Sequence, residues 1–352
     1  MMMSRKIAAA FAASLAAAAV GSLVLMVPGQ AQAQAQAGQA NINSLPPALR
    51  AAVLSGNGNA IQQAIQTLSA GNPAQAGSLA ASVVQVAEGL LSSNPQAAIA
   101  AGGAAVAVAR ALPQGSAPQQ TETVVTTAAR LFVAPAAQNF STQAAGLASA
   151  TLALATQSGN PSLTANVANS AVSAAERILS VDPAAAVQLA ASATSAANSP
   201  AVMAANPQAV SATMTTASRI VVAPEAQRVA PQQVAAMSVS VSQAVSNPAV
   251  YAVSPQAAIN VMANAYSAAT SATVQAAAPT TVATVTQTLN QASTNNSLNQ
   301  ANQTNSAQVQ QILAGQRPVV QQQQQTQTTT QNNQQNNTPV VFERPISSAS
   351  PS

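Results

Sequence analysis

Apolar residues along this chain recur three or four positions apart, inside segments that proline opens. After Pro73 the larger apolar side chains are Leu79, Val83, Val86 and Leu90. After Pro231 they are Val234, Met237, Val241 and Val245, and after Pro255 they are Ile259, Met262 and Tyr266. That spacing puts one apolar stripe on each of a series of helices and does not fit the alternation of strands. The prolines keep a beat of 22–24 residues over Pro161, Pro183, Pro207, Pro231, Pro255 and Pro279. Many follow a residue that can cap a helix: Asn72-Pro73, Asn94-Pro95, Asn160-Pro161, Asp182-Pro183, Asn206-Pro207 and Ser254-Pro255. A short polar side chain accepts from an orphan backbone N–H, and proline at the first helical position sacrifices no hydrogen bond. Each pair therefore predicts a helix start, followed by an Ala-rich run of high helix propensity and a short turn. Two short helices are expected over Leu45–Ala70. Gly102 and Gly103 fall inside a predicted helix, which implies a kink there or a neighbour pressing close.

A longer period lies over this beat. Ala129-Arg130-Leu131-Phe132-Val133-Ala134-Pro135 returns as Ser218-Arg219-Ile220-Val221-Val222-Ala223-Pro224, with Glu176-Arg177-Ile178-Leu179 between them. Glu88-Gly89-Leu90-Leu91 reads as a degenerate earlier copy. The arginines are 47 and 42 residues apart. A period of about 44 residues holding two helices predicts an all-α protein, an α-solenoid-like array of Ala-rich helical hairpins. The period resembles in length that of HEAT and armadillo repeats. None of their residue signatures is present, and the resemblance extends to architecture alone.

The two ends differ from this body. Arg5 and Lys6 precede an apolar run, Ile7–Val27, which Pro28-Gly29 ends. Ala31-Gln32-Ala33-Gln34-Ala35-Gln36-Ala37 then offers overlapping small-x-small cleavage sites. Residues 1–37 are thus expected to be a secretory signal peptide, and the mature protein to be exported, periplasmic or extracellular, with no membrane span after cleavage. A retained anchor is the competing reading. The helical repeat domain is expected over 38–294. From 295 to 352 Gln, Asn and Thr take over, with pure amide runs at 321–325 and 331–337, and a largely disordered tail is expected. One short helix is expected within it, at Ala307–Ala314. Val340-Val341-Phe342-Glu343-Arg344-Pro345 is a small apolar patch; a docking motif is one reading, and a patch without a role, the commoner case near a terminus, is the other.

Composition narrows the chemistry. Charged residues make up 5% of the 352, and there is no Cys, His or Trp. Without thiol or imidazole there is no disulfide, no Cys/His metal site and no Ser-His-Asp arrangement. No cofactor, metal or catalytic residue is expected, and the chain is read as a non-enzyme. The net charge of +4 falls once Arg5 and Lys6 are removed, since eight scattered arginines then face six carboxylates. That is no phosphate-binding patch, so nucleic acid is not an expected partner. Arg130, Arg177 and Arg219 stand near predicted helix ends. There they complement the helix dipole, or they form a sparse ladder for an anionic polymer. The leading expectation is an exported structural or interaction protein that associates with itself or with envelope or matrix components. The alternative is a periplasmic binding or scaffolding module for a single protein or an anionic polysaccharide.

Overall fold

The structure is a computed structural model that describes residues 42–317. The expected signal segment, the amide runs and the Val340–Pro345 patch lie outside the described residues. Within them the chain is all-helical, with no strand. After a 3₁₀ turn at Ile42–Ser44 come α1 (Pro47–Leu54), α2 (Gly58–Ser69), α3 (Pro73–Leu90), α4 (Pro95–Ala111) and α5 (Pro118–Val133). A 3₁₀ segment, Pro135–Phe140, leads to α6 (Ser141–Gln157), α7 (Pro161–Ile178) and α8 (Pro183–Ala197). The remainder is α9 (Pro200–Ala205), α10 (Pro207–Val222), α11 (Pro224–Val229), α12 (Pro231–Val245), α13 (Pro248–Val253), α14 (Pro255–Ala269), α15 (Ala272–Ala277), α16 (Thr281–Thr294), α17 (Asn296–Ala301) and α18 (Asn305–Leu313).

The helix starts follow from the capping pairs. The side chains of Asn72, Asn94, Asn160, Asp182 and Asn206 each accept from a backbone N–H in the first turn of the helix they open. Ser254 makes no such bond, although α14 begins at Pro255 all the same. Pro279 does not open a helix: α16 starts two residues later. The stretches read as short turns between the later helices are helices themselves, α9, α11, α13, α15 and α17, each six residues long. Six residues complete less than two turns, too few for apolar periodicity to register in sequence.

Long helices pack in neighbouring pairs, and each also packs on the long helix two along. The helices α3, α5, α7, α10, α14 and α18 form one row, and α2, α4, α6, α8, α12 and α16 the other. Alanine fills much of the seam between them, with Leu131, Leu189, Met214, Ile220, Met237, Ile259 and Met262 among its largest fully buried side chains. Val83, Val86, Val234, Met237, Val241, Val245, Ile259 and Met262 of the expected stripes are buried there. Gly102 is where another side chain presses close: a Cβ on it would lie 2.6 Å from Leu131 Cδ1, whereas Gly103 has open space. The packed helices continue past the boundary expected at 294, through α17 and α18. Their polar residues are buried with partners. Asn305 is inaccessible to solvent, and its amide nitrogen donates to the Ala292 carbonyl and to Asn299.

Candidate functional site

Three features stand out on this scaffold. The first is a line of contacts along the C-terminal ends of the α3 row. Arg130 of α5 grips Glu88 of α3 with two bonds, Nε to Oε1 at 2.6 Å and Nη2 to Oε2 at 3.0 Å. Arg177 of α7 donates to the carbonyl of Val133 at the end of α5. Arg219 of α10 repeats the two-bond grip on Glu176 of α7, at 2.6 and 2.8 Å. Asn264 of α14 donates to Ser218 of α10, and Tyr266 of α14 to the Leu313 carbonyl of α18. The three arginines expected on one edge are therefore brought to one edge, but each reaches the preceding helix of its own row. Hydrogen bonding to Glu88 raises the Arg130 guanidinium above its ordinary value, against some desolvation, and Glu176 does the same to Arg219. These pairs are half exposed, so each contributes about 0–1 kcal/mol. Their partners were hidden in the sequence because Glu88 and Glu176 lie 42 and 43 residues upstream of the arginines they bind.

The second feature is a buried polar knot. Tyr251 of α13 is fully buried, its hydroxyl donating to Asn305 Oδ1 at 2.9 Å and accepting from Asn302 Nδ2 at 3.1 Å. Burial raises its phenol above the ordinary value, and the bond from Asn302 pulls it back. The amide-rich composition of this stretch concealed the knot.

The third is a cavity of about 290 Å³ at the opposite ends of the helices from the arginine line, between α5 and α7. Leu112, Leu154 and Leu163 give it an apolar floor, and Thr121, Glu122 and Asn160 a polar rim. Two tight turns frame it, with Gly115 and Gly159 in the left-handed region at φ +76° and +71°. Gln114 bridges them by donating to the Gln157 carbonyl at 3.1 Å. Further along the same row the corresponding slots are filled. The helix α9 packs on α7 and α10, burying Val202, and α13 packs on α10 and α14, burying Val250 and Tyr251. Between α3 and α5 the connector itself closes in. There Gly77 leaves room for Ala117, whose Cβ would lie 2.9 Å from a Cβ on that glycine. Only three residues, Ser158–Asn160, link α6 to α7, too few for a filling helix. The short spacing between Gln157 and Pro161 was the one sequence signal for this gap.

No helix of the described residues is long and apolar enough to cross a membrane. Comparison with known protein families, curated proteins and solved structures finds no match to this chain.

Proposed function

We propose that the chain is an exported, non-enzymatic scaffold, an α-solenoid of Ala-rich helical hairpins that associates with itself or packs into the cell envelope or extracellular matrix. The observation that carries this reading is the line of contacts joining each helix of one row to the next. Their partners are 42–47 residues apart from Glu88 to Leu313, which makes a periodic, extended framework rather than a closed pocket of chemistry. The surface supports it: two arginines are neutralised by glutamates, and few other charges keep copies apart. Export rests on the Arg5-Lys6, apolar-run and Ala-x-Ala order alone. The alternative is a periplasmic binding or scaffolding module for a single protein or an anionic polysaccharide; the polysaccharide branch is the weaker, because the guanidinium groups of Arg130, Arg177 and Arg219 already serve contacts within the row. Size-exclusion chromatography with light scattering tests the choice. Mass that grows with concentration is expected of the scaffold. A single monomer peak at all concentrations would instead favour the binding module.

A further inference from the structure

We propose that the cavity between α5 and α7 is the docking site of the chain's own segment Thr338–Phe342. The argument begins with the neighbouring slots. In the slot between α10 and α14 the filling segment reads Asn247-Pro248-Ala249-Val250-Tyr251, a capping residue, a proline, a small residue, then the buried valine and aromatic ring. In the slot between α7 and α10 it reads Ser199-Pro200-Ala201-Val202-Met203, with Val202 buried. Beyond Arg317 a similar order occurs at Thr338-Pro339-Val340-Val341-Phe342, with Val340 standing where both fillers have alanine. The α5–α7 slot has no filler of its own, and its floor is apolar leucine. A segment of the filler pattern without a slot is thus matched by a slot without a filler.

Length agrees, and charge is neutral to the pairing: after Phe342 come Glu343 and Arg344, of opposite sign, beside a rim that carries Glu122. Twenty residues separate Arg317 from Thr338, an extended reach of about 65–70 Å. From Leu313, on the arginine-line side of α18, the path crosses three helix spacings of about 8–10 Å each to α7 and then the length of α7, about 25 Å, to the cavity at its start, about 55 Å in all. The extended linker exceeds that distance, so the segment reaches the slot of its own chain. Val341 would enter the leucine floor as Val250 enters its slot, with Phe342 beside it; the bonds that Tyr251 makes to Asn302 and Asn305 have no counterpart in this pairing. The docking does not depend on the scaffold reading, since a monomer would show it equally.

The chain has no tryptophan, so Phe342→Trp in the full-length protein gives a single reporter. Its emission is expected to be blue-shifted and unchanged on dilution. Thr121→Phe, which fills the cavity, and Val341→Asp, which alters only the docking segment, are each expected to return it to the emission of a solvent-exposed indole. Solvent-like emission in the parent overturns the proposal. So does a blue shift that survives Thr121→Phe in a folded protein, or that survives Val341→Asp. A blue shift that fades on dilution assigns the slot to a second copy and overturns docking within one chain.

Discussion

Alanine sets the tolerances at single positions. With methyl groups between helices, one added or missing carbon changes whether two backbones fit. Gly102 and Gly103 show the two sides of this. A Cβ on Gly102 would press on Leu131 and lie 3.3 Å from Leu147, both buried leucines. Gly102→Ala adds crowding of about 1–3 kcal/mol and recovers about 1 kcal/mol of helix propensity. It is expected to lower stability by about 1 kcal/mol net. Gly103→Ala meets nothing within 4 Å and is expected to raise stability by about 1 kcal/mol. Denaturant melts of the two variants check this, and a stabilised Gly102→Ala would contradict the close approach. From sequence the two glycines are indistinguishable, because the difference depends on which face of α4 meets α5 and α6.

At the scale of the element, the long helices were legible because the signals for their starts are local: a capping side chain and a proline act within one turn. The six-residue helices were not, since their stability comes from the slot each one fills. Val202, Val250 and Leu298 are their buried anchors, and nothing in six residues reveals which slot receives them. The cavity left one trace, the short connector between Gln157 and Pro161, but that trace shows a missing filler only once the neighbouring slots are seen to be filled. The arginine motif was readable as a recurrence, but its glutamate partners were not. The helix α13 gives an element-scale expectation. Its Tyr251 has a raised phenol value in the folded protein, so the fold holds that proton more tightly than the unfolded chain does. Stability from this group is fully present below the ordinary phenol range, at about 10, and is lost as pH rises through the raised value. Unfolding followed from neutral pH to pH 11 should show this alkaline loss. Tyr251→Phe should remove its contribution, at a cost of about 1–3 kcal/mol at neutral pH from the donor that Asn305 loses.

For the whole molecule, both end helices of the α2 row present polar outer residues. Gln63, Gln66 and Thr67 are exposed on α2, and Gln287, Asn290, Gln291 and Thr294 border a solvent-facing surface on α16. Such ends behave as caps and direct any association to the flanks rather than to end-on stacking. The alternation of rows has one more consequence, a rule of parity. From Ser199 onward the chain advances in steps of 24 residues, one short and one long helix, and each step changes row. An even number of steps returns the chain to the row it left; an odd number sends everything downstream to the other side. Removing residues 199–246, two steps, leaves α14 in the row of α7 and is expected to preserve one cooperative transition at near-native helicity per residue. Removing 223–246, one step, places Asn264 against the α8 row instead of beside Ser218, and is expected to lower the melting temperature more, although half as much chain is lost. Calorimetry of the two deletions reads the rule directly. If it holds, the array from Ser199 onward lengthens or shortens by pairs, 48 residues at a time.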